Sequence, residues 1–212
     1  MLVEDCMTRE VLTVTPETTA GEALRMSRER RIRHFPVLEN GRLVGIISDR
    51  DLRDAAPPAG DPERAAALEK LKVKDVMRRE VTTAHPLDPI EHAARDMNER
   101  RIGCLPVVSG GKLVGIITSS DVMRALMRLV GAHEPGSRLE LELIDRPGAL
   151  AGVAEIIRDL NVNIVSVLSA PGKSPGKKTM VLRLAMINPT PVVQELESAG
   201  YRILWPPQQE EE

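Results

Sequence analysis

The stretch GRLVGIISDRD at Gly41 to Asp51 recurs as GKLVGIITSSD at Gly111 to Asp121, a constant offset of 70 residues. The same offset aligns Val3, Asp5, Met7, Arg9, Glu10, Val11, Thr13 and Pro16 with Val73, Asp75, Met77, Arg79, Glu80, Val81, Thr83 and Pro86. ERRI at Glu29 returns at Glu99, and Pro36-Val37 returns as Pro106-Val107, with no gap anywhere. Self-similarity of this length at one offset requires two copies of one structural unit, ending near Ala55 and Ala125.

Each copy reads in the same order. VLTV at Val11 to Val14 is a short extended segment stopped by Pro16, since the residue before a proline is driven out of the helical region. Ala20, Ala23, Leu24 and Ser27 then fall at helical spacing. FPVL and LVGII flank Asn40-Gly41, a hairpin signal, and a second helix is expected from Asp49. The unit is therefore β-α-β-β-α. Between the copies, APPAGDPERAAALEKLK opens with chain-breaking Pro and Gly and continues as a helical tether from about Pro62.

After Arg138 the pattern changes. RLELELI alternates apolar and acidic residues, placing Leu139, Leu141 and Leu143 on one buried face of a strand. Asp145 to Gly148 turns the chain, and Leu150, Val153, Ile156, Ile157 and Leu160 form one helical stripe. Strands IVSVLSA and TMVLRLAMI, a helix after Pro191 and a final strand YRIL complete a β-α-β-β-α-β order, and QQEEE reads as a solvated acidic tail.

Composition narrows the function. Lys plus Arg (29) nearly balances Asp plus Glu (31), so no global field draws the chain to nucleic acid or anionic lipid. The aromatic residues are Phe35, Tyr201 and Trp205, too few for base-stacking platforms. Cys6 and Cys104 match no metal or redox spacing, and His85, His92 and His133 have no partner at metal spacing, so no metal site is expected. With no signal peptide or apolar run of spanning length, a cytoplasmic protein with reduced thiols is expected. No nucleophile-elbow, phosphate-loop or metal-ligand motif is present, so no catalytic residue is assigned.

The repeated sentence carries chemistry of its own. Ser48 with Asp51, and Thr118 with Asp121, place a hydroxyl at a strand end and a carboxylate three residues on. Either pair would cap a helix. A carboxylate there also suits a ribose cis-diol, because hydrogen bonds to a charged acceptor contribute roughly 1.5 to 3 kcal/mol each.

These repeats, V-x-D-x-M … V-x-T … R-I-x-x-x-P-V … G-x-L-V-G-I-I-[ST]-x-x-D, resemble a pair of CBS domains over about Val3 to Leu126. The resemblance implies a Bateman module binding an adenine nucleotide (AMP, ADP or ATP) or S-adenosylmethionine as a regulatory ligand, with no resident cofactor. It carries ribose contacts onto Ser48, Asp51, Thr118 and Asp121. It carries cleft positions onto Arg33, His34, Phe35 and Pro36 in one copy and Gly103, Cys104, Leu105 and Pro106 in the other. Only the first set bears positive charge, so one strong nucleotide site and one weaker or different site are expected.

L-x-L-x-D-R-P-G-A-L-A-x-V-x-x-I-I … N-I-x-S-V is similar to the ACT domain, over Arg138 to about Trp205. That resemblance implies edge-to-edge pairing, hence a homodimer, and an amino-acid site at Asp145, Arg146, Pro147, Gly148, Ala149, Leu150, Asn163 and Ile164. A turn and dimerisation surface without a ligand is the equal alternative. The expected division is a first CBS domain at 1–56, a linker at 57–72, a second CBS domain at 73–130, a linker at 131–137, an ACT domain at 138–205 and a tail at 206–212. The fold class is α/β (α+β): a tandem CBS pair followed by a ferredoxin-like ACT domain, an order resembling acetoin-utilisation AcuB-type proteins. The expected role is regulatory sensing, acting through a partner enzyme, without binding nucleic acid or membrane; the alternatives are a ligand-free dimerisation scaffold regulating a partner enzyme and, behind it, an enzyme acting on a nucleotide.

Overall fold

The structure, a computed structural model, describes residues 1–207, so residues 208–212 of the expected tail lie outside the described residues. The described residues form two compact units, Met1–Ala125 and the chain from Leu126 on.

In the first unit, each copy contributes a helix, a hairpin and a second helix. The first has α1 (Ala20–Arg30), β1 (His34–Glu39), β2 (Arg42–Ser48) and α2 (Asp49–Asp54). Two further helices, α3 (Arg64–Lys70) and the single turn α4 (Val73–Val76), lead to α5 (Ile90–Arg100), β3 (Cys104–Ser109), β4 (Lys112–Thr118) and α6 (Ser119–Leu129). Thr19 caps α1 by accepting the Glu22 N–H at 3.1 Å. Arg31 and Arg101, both with φ 54°, end α1 and α5 in the left-handed conformation. Asn40 (φ 50°) and Gly41 (φ 76°) make the expected tight hairpin turn, which Gly110 and Gly111 repeat.

The expected first strand of each copy is reduced to one bridge. Val14 pairs in parallel with Val37, and Ala84 with Val107. Val14 gives its N–H to the Pro36 carbonyl (3.2 Å) and takes the Leu38 N–H (2.9 Å), after which Pro16 ends the extended run.

The two cores are out of phase with the two sequence copies. Val73 and Met77, which open the second copy, pack with Leu24, Phe35, Val37, Ile47 and Leu52 of the first. Val3 and Met7 pack with Ile90, Met97, Leu105, Val107 and Ile117 of the second. Backbone pairing fixes both exchanges: Arg78 and Ile46 exchange two hydrogen bonds of 2.9 Å, as do Thr8 and Ile116. The repeated glycine of LVGII follows from this. A Cβ at Gly45 would stand 2.7 Å from Met77 Sδ, and one at Gly115 would stand 2.5 Å from Met7 Sδ. The linker also contributes to the first core through Leu68 and Leu71.

The second unit is one antiparallel sheet of β5 (Ser137–Ile144), β6 (Ile164–Pro171), β7 (Lys177–Leu184) and β8 (Arg202–Trp205), in the order β6-β7-β5-β8. Helices α7 (Ala149–Asp159) and α8 (Thr190–Ser198) complete the expected β-α-β-β-α-β order. Leu139, Leu141 and Leu143 pack with Val153, Ile157, Leu182, Leu184, Val192 and Leu196. Each such side chain contributes roughly 1.5 to 3 kcal/mol of burial. Leu150, expected in the buried stripe, is exposed because it sits in the first turn of α7, ahead of the residues that pack on the sheet. The segment before β5 folds onto the sheet, where Ser166 Oγ donates to the Val130 carbonyl (3.0 Å) and Arg183 Nε to that of Glu134 (3.1 Å).

Candidate functional site

The hairpin register builds the site. His34 at the start of β1 stands opposite Ser48 at the end of β2, and Cys104 stands opposite Thr118 in the second copy. Each hydroxyl residue then begins a helix, which swings a carboxylate back over the strand end.

In the first copy, Asp51 Oδ2 accepts the Ser48 N–H (3.0 Å) and the Ser48 hydroxyl (2.6 Å), while Ser48 Oγ takes the Asp51 N–H (3.2 Å). The second copy repeats this. Asp121 Oδ2 accepts from Thr118 N (2.9 Å) and Oγ1 (2.7 Å), and Thr118 Oγ1 takes the Asp121 N–H at 3.4 Å. The helix-cap reading is therefore realised in the first copy as a reciprocal box. It consumes only one carboxylate oxygen. A carboxylate offers about four lone-pair sites, and the two on Oδ2 are filled, which leaves Oδ1 as the acceptor for an incoming diol.

Around Oδ1 the two sites differ. Asp51 Oδ1 faces Arg78 at 3.5 Å, a residue reached through the exchanged segment. Asp121 Oδ1 pairs with Arg124 of its own helix at 3.1 Å. The Asp51 side chain is 24% exposed and that of Asp121 is 8% exposed, so the first carboxylate is the more accessible. Burial raises the Asp51 pKa, but the Ser48 hydrogen bonds and Arg78 outweigh it and hold the group below the usual carboxylate value.

Arg33 is exposed, and its carbonyl accepts the Asp49 N–H at 2.9 Å. His34 is half-buried. Burial and the Arg33 charge lower its pKa, against the opposing pull of Asp49 and Asp51. Its ring crosses to the second copy: a Cβ on Gly103 would lie 3.1 Å from His34 Nε2. Phe35 and Leu105 are fully buried and pack in the two hydrophobic cores, and Pro36, Cys104 and Pro106 are buried as well. Burial pushes the Cys104 thiol up to about 12, which makes it a neutral core side chain.

In the second unit the expected amino-acid set divides between two depressions. Asp145, Arg146, Gly148, Ala149 and Leu150 line a cavity of about 290 Å³ together with Ser169 and Lys178, and Lys178 Nζ lies 3.1 Å from Asp145 Oδ1. Asn163 and Ile164 line a separate, open depression with Arg158 and Asn161. These two residues follow the far end of α7, so within one chain the helix length keeps them from the Asp145 turn. Pro147 is exposed in that turn.

A residue beside the site that sequence reading missed is Arg78. It follows VKDVM, far from both sentences in sequence, and the exchanged segment brings it to Asp51.

Two family models match the chain: the CBS domain, over residues 3–57 and 73–128, and the TTHA0829-like ACT domain, over 135–205. A CBS domain-containing protein of Dictyostelium discoideum is 33% identical over 143 residues, covering 65% of this chain and 99% of that protein. A homoserine O-acetyltransferase of Methanococcoides burtonii is 36% identical over 126 residues, but this chain spans only 24% of its length. Among solved structures, a provisionally assigned acetoin utilization protein (AcuB) from Vibrio cholerae has 34% identity and a TM-score of 0.54, covering 64% of this chain and 98% of that one. The CBS domain pair of protein MJ0100, in complex with 5′-methylthioadenosine and S-adenosyl-L-methionine, has 30% identity and a TM-score of 0.52, covering 63% and 98%.

Proposed function

The chain belongs to the CBS domain family and carries a TTHA0829-like ACT domain behind its CBS pair, and on that premise we propose that it is a regulatory protein sensing an adenine nucleotide or S-adenosylmethionine. The observation that carries this reading is the duplicated strand-end carboxylate, with Oδ2 locked by its own hydroxyl residue and Oδ1 facing an arginine. Locking one oxygen orients the other without further ordering cost when a ribose arrives. The adenosine-containing ligands of the MJ0100 pair support the same chemistry here.

Ligand recognition at Asp51 would draw on both copies, since Asp51 and Arg78 come from different ones. Moving a two-state equilibrium from about 1:99 to 99:1 takes roughly 5.5 kcal/mol of differential affinity, which favours a ligand that engages both. The readout passes to a partner enzyme, and the chain itself has a regulatory rather than a catalytic role. In the ACT domain, the paired charges of Lys178 and Asp145 in the 290 Å³ cavity are complementary to the carboxylate and ammonium of an amino acid. That cavity is the second candidate ligand site.

A thermal-shift series with AMP, ADP, ATP and S-adenosylmethionine tests the nucleotide reading. A ligand at 100 times its Kd stabilises the folded state by about 2.7 kcal/mol. A saturable rise in Tm with at least one of the four, reduced in Asp51→Asn, is expected; no rise with any of them removes the nucleotide from the account.

A further inference from the structure

Arg78 and Asp51 hold a relation that the repeat does not duplicate. The position equivalent to Arg78 is Thr8, which pairs with Ile116 as Arg78 pairs with Ile46. Thr8 brings no charge to Asp121, whose arginine, Arg124, comes from its own helix and aligns with Asp54 in the first copy. Of the two carboxylates, Asp51 is the one that faces a cation from the exchanged segment.

That cation is fixed at its base and loose at its tip. Two backbone hydrogen bonds of 2.9 Å hold Arg78 to β2, while its side chain is 65% exposed and touches Asp51 at 3.5 Å, longer than a well-formed charged hydrogen bond. The oxygen it touches, Oδ1, is the one a ribose diol needs, because Ser48 occupies Oδ2. An incoming nucleoside must displace the guanidinium. A neutral nucleoside would leave it without a counter-charge. A ligand with a phosphate on the 5′ carbon offers a replacement anion that an arginine fork binds in two-pronged fashion.

We propose that Arg78 is the specificity-determining residue of the Asp51 site, passing from Asp51 to the ligand's phosphate on binding, so that this site selects phosphorylated over uncharged adenosines. The proposal rests on the nucleotide-sensing reading above and adds the class of ligand that the first site prefers.

Calorimetric titration of the full chain with AMP and with adenosine, for wild type, Arg78→Gln, Arg78→Lys and Asp51→Asn, tests it. Arg78 is largely exposed, so its replacement leaves the cores intact, which a melting curve verifies. Wild type should prefer AMP. Arg78→Gln should weaken AMP by about 10- to 100-fold, the equivalent of one charge-assisted hydrogen bond, with adenosine unchanged or tighter. Arg78→Lys should keep part of the preference. Equal weakening of both ligands in Arg78→Gln, or an unchanged AMP-to-adenosine ratio, overturns the proposal while leaving the sensor reading intact. Failure of wild type to bind either ligand overturns the sensor reading and this proposal with it, and a high-affinity phase that survives Asp51→Asn overturns the assignment of the strong site to Asp51 and this proposal with it.

Discussion

Replacing Gly45 by Ala tests the exchange of segments directly. The new Cβ would meet Met77 Sδ at 2.7 Å and the Arg78 carbonyl at 3.1 Å. The carbonyl is held by its hydrogen bond from Ile46, so the methionine must yield, and Met77 is itself only 8% exposed. Overpacking of this kind costs about 1 to 3 kcal/mol. Alanine returns about 0.4 to 1 kcal/mol by restricting the unfolded chain. A net loss of about 1 to 2 kcal/mol is expected, read as a fall of about 0.3 to 0.5 M in the guanidinium midpoint followed by circular dichroism. The partner is identified by double-mutant cycles. Met77→Ala vacates the space, so Gly45→Ala should cost less in that background, with a coupling of at least about 0.5 kcal/mol. Met7→Ala, in the same sequence copy as Gly45, should show no coupling, because Met7 lies against Gly115. Coupling of Gly45 to Met7 instead of Met77 would refute the exchanged arrangement.

Other expectations follow from the site. His34 is held below the usual imidazole value in the folded chain, so the unfolded chain takes up its proton first. Its contribution to stability is full above about pH 6.5 and is lost as pH falls from there through the lower folded-state value, and the stability difference between wild type and His34→Gln across pH 5 to 8 should show this slope. Gly103→Ala places a Cβ 3.1 Å from His34 Nε2, so its effect on Tm should be coupled to His34, with Gly103→Ala more favourable in the His34→Ala background than in wild type; the same effect in both backgrounds would contradict the contact. Cys104, with its thiol pushed up to about 12, should react with a maleimide in a Cys6→Ser variant only at the rate of unfolding; fast labelling of the native protein would contradict its burial.

Much of this architecture was legible in the residues. The 70-residue offset, Asn40-Gly41 and the alternation of RLELELI each name a local conformation on physical grounds, and the hairpins and the ACT strand formed as read. The exchange was not legible for a specific reason. Met7 and Met77 occupy equivalent places in both copies, so swapping the segments leaves the periodicity unchanged. Arg78 was invisible for the same reason, since its neighbour Asp51 is set by the swap and not by any spacing. The family resemblance put Phe35 and Leu105 among the cleft positions, and what the alternation did not reveal is that both side chains are fully buried in the cores. Asn163 and Ile164 were grouped with the Asp145 turn, and the length of α7 separates them within one chain.

The central claim is that each copy offers one carboxylate oxygen to a ribose, with the Asp51 site the stronger of the two. Isothermal titration of AMP, ADP, ATP and S-adenosylmethionine into wild type, Asp51→Asn and Asp121→Asn addresses it. The account predicts saturable binding by at least one ligand, with the high-affinity phase lost in Asp51→Asn and retained in Asp121→Asn. Equal losses in the two variants would contradict the inequality of the sites, and an absence of binding by all four would contradict the sensor itself.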